Sequence, residues 1–567
     1  MTPIEPAAAT APVVVRQPAP TSTRFARLPE LLALYILLVG VALRLHLYVD
    51  RRSLWLDEIW IALNIVGRTF VGLTRPLDYA QSAPVGFLWL ERLAVVIGGA
   101  NELALRAFPL LAGCLLLAVV WSLGRRLLDV RGAALCLALA ALSPLLIYYS
   151  NEVKPYVVDA FVTSALTYVA LELLDAPDSP RAWRRMLVAE LLGLLLSTPC
   201  AFVLAAVGSA LATHPAIRTS AIGWRRLLGT GAVWLLLFTV GYLSLYRSTA
   251  SSFHMQDSWS SSFLVPPLSN MAQLAHGAAR TMWIDTFVGV DNAMLPRKFI
   301  AAMAILTATG ALSLWRRRGL PVALLLVLPF VVTAGASYAS LWPLTPRLLV
   351  FLIPILALLL GTGLWTVAGF APARVRGPLL AVLGALMLMP GIVHDVQRVR
   401  RPVRRDDAGP LIRAFMARPR EPAIMYVVGH ATPTWLFYTV DWRARAGPQF
   451  RFASMRARTS ADNQTRACLV QEPGLRVAFS PTGPGVFADS SLAVEAAWIA
   501  EQPERDAWVF VLRYEHEAGH DFDRELLRHG AMRVDERSRQ DAELRRYRFP
   551  ARRRTERPPR CTESVAP

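Results

Sequence analysis

Residues 28–60 read LPELLALYILLVGVALRLHLYVDRRSLWLDEIW, and this stretch decides the fold. Leu28–Val49 is apolar over the ~20 residues that a membrane-spanning helix needs. It is too long for the apolar core of a cleaved signal peptide. Arg24 and Arg27 stand before it, and residues 1–22, rich in Ala, Pro and Thr, read as the disordered part of a cytoplasmic leader, 1–28. Beyond the helix the character changes. Ser53-Leu54-Trp55-Leu56-Asp57-Glu58-Ile59-Trp60 sets two adjacent acids among aromatic and aliphatic side chains. One spanning helix thus delivers an acidic pair to a membrane surface, where apolar surroundings raise a carboxylate's proton affinity.

The rest of the chain repeats the apolar pattern. Spans are expected at 29–49, 103–124, 132–150, 156–174, 184–198, 200–217, 226–247, 298–315, 320–340, 346–369 and 377–394, eleven in all. Arg125/Arg126/Arg131, Arg181/Arg184/Arg185, Arg218/Arg225/Arg226, Arg316/Arg317/Arg318 and Arg374/Arg376 then share one side with Arg24 and Arg27. That side is cytoplasmic by the positive-inside rule. The fold expected is mainly α: a polytopic membrane domain, 29–394, with outside loops 50–102 and 248–297, followed by an extracytoplasmic domain, 395–567. The location expected is a bacterial inner membrane, with a cytoplasmic amino terminus.

Two boundaries decide this topology. Pro84–Gly98 is apolar but short, with Glu91 and Arg92 in its middle, and reads as an interfacial helix on the outer surface. Pro199 separates 184–198 from 200–217; merging them would reverse every later cluster. In the carboxy-terminal region, β-like runs (Ala423–Val428, Arg476–Ser480, Trp508–Arg513) alternate with helical stretches (Pro410–Arg418, Asp523–His529), which suggests a small α/β domain. An arginine-dense tail, Arg545–Arg560, ends it. Cys468 and Cys561 lie in this polar part, where they are able to pair if it is extracytoplasmic. Cys114, Cys136 and Cys200 sit in or beside apolar runs as packing residues.

Composition agrees. The 567 residues are 54% hydrophobic and 18% charged, with mean hydropathy +0.39; average chains carry ~25% charged residues. The net charge of +19 is almost wholly arginine, since the chain has two lysines, Lys154 and Lys298. Such a bias is weak evidence for nucleic acid, and none is expected as a partner. No Cys or Cys/His metal spacing is present.

Chemistry-bearing residues gather at the outer face. Tyr148-Tyr149-Ser150-Asn151-Glu152-Val153-Lys154-Pro155-Tyr156 joins the third and fourth spans. Pro155 suits a helix's first turn, so the fourth helix aims its amino-terminal end at the face that holds Asp57. Helix amino termini attract anions, and Lys154 stands beside this one. Arg106 and Arg347 open the second and tenth spans on the same face. An acid pair with several cations suits transfer from a donor whose leaving group is a phosphate. One base deprotonates the acceptor and the cations stabilise the developing charge; a glycosidase would need two carboxylates in opposed roles.

The order of motifs resembles the GT-C glycosyltransferases, in particular the protein O-mannosyltransferases and the bacterial lipid A aminoarabinose transferases. It runs through Leu54-Trp55-Leu56-Asp57-Glu58, Ala83-Pro84-Val85-Gly86-Phe87-Leu88-Trp89-Leu90, Leu103-Ala104-Leu105-Arg106, Gly124-Arg125-Arg126-Leu127-Leu128, Tyr149-Ser150-Asn151-Glu152-Val153-Lys154-Pro155-Tyr156 and Pro346-Arg347-Leu348-Leu349. The match spans roughly 29–394, with a loose similarity over Asp407–Tyr438. The resemblance implies Asp57 as catalytic base with Glu58 beside it. It implies Arg106, Glu152, Lys154, Tyr156 and Arg347 as donor-phosphate or substrate residues. It further implies an inverting hexosyl or pentosyl transfer from a polyprenyl-phosphate sugar to a glycan, lipid or protein acceptor, with no cofactor and generally no metal, although a divalent ion is not excluded. Where many members have His-Pro-Pro, this chain has Gln81-Ser82-Ala83-Pro84, so the acceptor does not transfer with the resemblance. A flippase for a lipid-linked sugar is the alternative; it would require internal symmetry and deep ionisable groups. A membrane-anchored binding module working through 395–567 is a third reading.

Overall fold

The structure is a computed structural model that describes residues 28–243, 259–289, 297–402, 404–418, 422–428, 431–440, 466–472, 475–479, 489–512, 516–550 and 561–562. The expected leader and the end of the arginine-dense tail lie outside these residues.

Local sequence starts the helices where the caps are. The Asn101 side chain accepts from the Leu103 and Ala104 amides to open α4 (Glu102–Leu127), after α1 (Leu28–Val49), α2 (Leu56–Gly67) and α3 (Val85–Gly98). Asp129 caps α5 (Val130–Ala141), and Ser143 with Pro144 opens α6 (Pro144–Tyr149). After α7 (Tyr156–Asp175), Ser179 with Pro180 opens α8 (Pro180–Leu196). There follow α9 (Cys200–Thr213), α10 (Ala221–Gly241), α11 (Arg297–Tyr338), α12 (Ile353–Gly369) and α13 (Ala373–Arg400). Among the described residues six helical segments are long and apolar enough to cross a membrane: Leu28–Val49, Glu102–Leu127, Tyr156–Asp175, Lys298–Tyr338, Pro346–Gly369 and Ala373–Arg400. The chain is a multi-pass membrane protein.

Breaks fall mostly where the sequence predicts. Gly319, at φ 81°, divides α11 between the expected 298–315 and 320–340; a side chain disfavours that left-handed backbone. Helices α8 and α9 are separate across Ser197–Pro199. The stretch expected as one span, 132–150, is instead two helices. Pro144 lacks an N–H and bars continuation of α5. The carbonyls left open at its end, Ala140 and Ala141, accept from the Arg44 guanidinium at 3.3 and 3.0 Å. Arg44 is fully buried and also donates to Ser150 Oγ at 3.2 Å. Elsewhere α11 and α12 touch backbone to backbone: a methyl at Gly310 would lie 1.9 Å from the Leu359 carbonyl, and one at Gly363 1.9 Å from that of Leu306. Only small residues permit such an approach.

The bundle has two chemically distinct ends. At the carboxy-terminal end of α7, Arg126 pairs with Glu172 and Asp175 at 3.0 and 2.9 Å, Arg185 with Glu172 at 3.3 Å, and Arg318 with Asp175 at 2.8 Å. Three of the arginine clusters therefore meet at one end. The other end of α7 lies about 30 Å away, by the 1.5 Å rise of its residues. There α3 buries Phe87, Leu88, Glu91 and Val95 and exposes Trp89, Leu93, Val96 and Ile97. The helix expected to lie flat on the surface is thus apolar on its exposed face as well as its buried one, and is seated on α4 and α8. Arg92 donates to the Ile65 and Val66 carbonyls, closing the end of α2.

The carboxy-terminal part builds a seven-stranded sheet in the order β5-β6-β4-β1-β3-β2-β7. The three expected β-like runs are its parallel centre: β1 (Ala423–Val427), β3 (Leu475–Phe479) and β4 (Asp506–Leu512), with near-continuous burial. Strands β2 (Arg466–Glu472), β5 (Met532–Arg539), β6 (Ala542–Arg548) and β7 (Cys561–Thr562) complete it, and helices α14 (Ala408–Met416), α15 (Ala431–Thr439), α16 (Asp489–Ala500) and α17 (His516–Arg528) flank it. One expectation is corrected: the arginine-dense run does not begin as a tail. Residues 545–548 lie in β6, antiparallel to β4; Arg545 is buried against Glu543, and Arg546 and Arg548 pair with Asp506 at 2.8 and 3.0 Å. A side chain of each sign on neighbouring strands makes arginine acceptable inside a sheet. Cys468 lies in β2 and Cys561 in the adjoining β7, with side chains outside those described.

Candidate active site

Helix α2 carries the acid pair in its first turn, and the two acids face different surroundings. Glu58 points into the protein and is 0% exposed. Its Oε1 accepts from Arg106 Nε at 3.1 Å and from the Val153 amide at 2.9 Å; its Oε2 accepts from Arg106 Nη2 at 2.7 Å and from the Trp55 amide at 3.3 Å. Arg52 Nη2 stands 3.8 Å away. Burial opposes the charge of Glu58, but Arg106 and Arg52 outweigh it and hold the carboxyl below its usual range. Arg106 also donates to the Arg52 and Ser53 carbonyls, at 2.6 and 3.2 Å. This network fixes the segment before Asp57 to α4 and to the 150–155 turn.

Asp57 is the less enclosed of the two, at 9% exposed. Lys154 Nζ lies 3.1 Å from its Oδ1 and Arg347 Nη1 2.8 Å from its Oδ2. Burial opposes its charge too, yet Lys154 and Arg347 prevail and hold it below the usual carboxylate range. Lys154 donates a second bond to Gln81 Oε1 at 2.7 Å, and the Arg347 guanidinium lies over the Trp259 ring at 4.9 Å. Glu152, 1% exposed, accepts from Trp55 Nε1 at 2.8 Å and from Tyr148 OH at 3.2 Å. Burial, and then the charge of Glu58, push it up to about 7. Tyr156 opens α7, its ring edge-on to Tyr149 at 5.2 Å. Asp57, Glu58, Arg106, Glu152, Lys154, Tyr156 and Arg347, distant in sequence, therefore share one end of the bundle.

The carboxy-terminal domain also reaches this site. Ser53 Oγ donates to Asp407 Oδ1 at 2.8 Å, the Leu54 amide to Tyr438 OH at 3.0 Å, and the Leu56 amide to Asp406 Oδ2 at 3.0 Å. Arg404 pairs with Asp50 at 2.7 Å and Arg413 with Glu102 at 3.0 Å, while Arg405 stacks on Trp55 at 5.4 Å. Sequence reasoning missed these residues, for which a loose similarity over Asp407–Tyr438 was the only signal, and it missed Arg52 and Trp259; Gln81 was noted only as a departure from the family's motif. Among the described residues no group of three His, Cys, Asp or Glu side chains is placed to hold a metal ion.

Residues 82–244 match the family model described as dolichyl-phosphate-mannose-protein mannosyltransferase. That stretch includes Arg106, Glu152, Lys154 and Tyr156 and excludes Asp57, Glu58 and Arg347. No curated protein matches the chain. Among solved structures, ArnT from Cupriavidus metallidurans bound to undecaprenyl phosphate aligns with TM-score 0.51 and 16% identity, over 93% of this chain and 98% of that one. The Archaeoglobus fulgidus oligosaccharyltransferase, in complex with zinc and sulfate, aligns with TM-score 0.41 and 15% identity, over 71% of this chain and 61% of that one. The fold of this chain is that of ArnT, a GT-C fold, in agreement with the resemblance its sequence motifs carry.

Proposed function

We propose that this chain is an integral-membrane glycosyltransferase that moves a sugar from a polyprenyl-phosphate donor to a hydroxyl of a cell-envelope acceptor. The observation that carries the reading is the convergence of Lys154 and Arg347 on Asp57. Two cations on one carboxylate form a site ready to exchange an anion. A donor phosphate drawn to Lys154 and Arg347 loosens their hold on Asp57 and raises its basicity where the acceptor hydroxyl arrives. The acceptor oxygen then bonds to the anomeric carbon, the bond from that carbon to the phosphate oxygen breaks, and the electron pair leaves with the phosphate. The hydroxyl proton passes to Asp57. The phosphate goes from one negative charge to two, and both cations favour that change. Glu58 positions Asp57 and takes no part in proton transfer, since its oxygens are filled by protein donors.

That a structural relative is bound to undecaprenyl phosphate supports a polyprenyl-phosphate donor. The family model matching 82–244 supports sugar transfer. With the arginine-rich end cytoplasmic, the site and the carboxy-terminal domain face the outside of a bacterial inner membrane, and residues 29–394 form the transmembrane domain. The acceptor is a glycolipid, a polysaccharide or a protein.

The test is deletion of the gene, followed by mass spectrometry of envelope glycans and lipid-linked sugars. Wild type should restore a lost sugar and clear its accumulated polyprenyl-phosphate donor; Asp57→Asn, folded and inserted, should do neither. Unchanged glycans on deletion, or full complementation by Asp57→Asn, would sink the reading.

A further inference from the structure

The helix that carries the acid pair begins without a cap of its own. Its preceding residue is Trp55, whose indole is a donor and has no acceptor to offer the first turn. Glu58 bends back to the Trp55 amide, but Leu56, the first helical residue, needs another acceptor. That acceptor is the Asp406 carboxylate, 3.0 Å from the Leu56 amide and 350 residues further along the chain. An anion at a helix amino terminus is favoured by charge as well as by the hydrogen bond. Asp406 is held there firmly: its own backbone lies in the left-handed region, at φ 48°, and it is 2% exposed. Aspartate tolerates that conformation better than most residues with a side chain, and here surrounding structure fixes it. The neighbours supply that constraint: Asp407 accepts from Ser53 Oγ, and its amide donates to the Gln540 carbonyl beyond β5 at 2.9 Å. Two bonds from consecutive aspartates thus clasp residues 53 and 56, directly before Asp57.

We infer that Asp406 is a positioning residue for Asp57: the carboxy-terminal domain supplies the helix cap that orients the acid toward Lys154 and Arg347. The inference rests on the glycosyltransferase reading, because it assigns Asp406 to the geometry of that reaction. Asp406 touches neither substrate nor reacting atoms. Loss of its carboxylate leaves Lys154 and Arg347 in place to bind a phosphate and lets Asp57 wander.

The full-length protein, purified in detergent, carries the test. Hydrogen exchange over residues 54–60 should quicken at least tenfold in Asp406→Ala and stay near wild type in Asp406→Asn, whose amide oxygen still accepts. Undecaprenyl phosphate should bind Asp406→Ala within about threefold of wild type. Glycan transfer by Asp406→Ala in the deletion strain should fall at least tenfold, and Asp406→Asn should recover most of it. Unchanged exchange in Asp406→Ala overturns the cap. Faster exchange with full transfer, or lost transfer that tracks lost phosphate binding, overturns the positioning role. If deletion of the gene alters no glycan, the function reading fails instead, the assignment to catalysis falls with it, and exchange alone decides whether Asp406 holds the helix.

Discussion

Lys154 Nζ lies 3.1 Å from Asp57 Oδ1, so one of the two lysines in the chain is paired with the first acid of the pair. It is 5% exposed, and its other described partner is the neutral Gln81 amide. A charge-assisted hydrogen bond contributes about 1.5–3 kcal/mol, and a bound phosphate would take up this one. Lys154→Ala is expected to weaken binding of undecaprenyl phosphate by about ten- to a hundredfold, read by titration in detergent. It should also shift the acid limb of the transfer profile toward neutral pH, because Asp57 loses one of the two cations that lower its proton affinity. Unchanged affinity would make Lys154 an anchor of the loop and nothing more.

Glu152 sets a different pH dependence. Burial and Glu58 raise it from 4.5 to about 7, so the folded protein holds its proton more tightly than the unfolded chain does. Its contribution to stability is complete below about 4.5 and is lost as pH rises through about 7. Between pH 5 and 8 the melting temperature of wild type should fall more than that of Glu152→Gln. The glutamine keeps an acceptor for Trp55 and Tyr148 and carries no charge. Equal falls would show that Glu152 does not titrate in this window.

Arg106 and Glu58 should be separable by a double variant. Arg106→Met strands a fully buried carboxylate, at a cost of about 3–5 kcal/mol. Thermal unfolding should detect it as a large drop in melting temperature. Adding Glu58→Gln should return part of that loss, since the uncompensated charge is gone. A double variant as unstable as the single one would place the defect in the Arg106 bonds to the Arg52 and Ser53 carbonyls.

The contact between α11 and α12 gives a prediction remote from the site. Gly310→Ala and Gly363→Ala each force a methyl to 1.9 Å from a carbonyl oxygen of the facing helix. Overpacking of this kind costs about 1–3 kcal/mol. Both variants should melt lower than wild type, whereas Gly335→Ala, with open space around it, should not. Equal melting temperatures would mean that the two helices part readily.

The membrane architecture was legible because spanning helices are written in long apolar runs, and arginines mark their ends. The central strands at 423–427, 475–479 and 506–512 were legible for a similar reason: parallel, buried strands read as short apolar runs. The break within 132–150 was harder to see. Pro144 hinted at it, but the compensating group, Arg44, comes from another helix, and a lone arginine in an apolar run reads as an anomaly. The start of β6 was obscured by arginine density, since its partner Asp506 lies on another strand. At the site, Asp57, Lys154 and Arg347 were found because each stands at the boundary of an apolar run. Asp406 sits in an arginine-rich polar run and Tyr438 in a short apolar one where it reads as packing, and only the folded chain brings them to Leu56 and Leu54.

The clasp between residues 53–56 and 406–438 has a consequence in time. A ribosome adds about 5–20 residues per second, and Asp406 follows Leu56 by 350 residues. Leu56 therefore waits on the order of twenty seconds to a minute for its cap, while the later helices enter the bilayer. Over that interval the nascent chain holds its acid pair without the contacts that aim it. The youngest part of the polypeptide completes the oldest, and each molecule comes of age only when its last domain has folded.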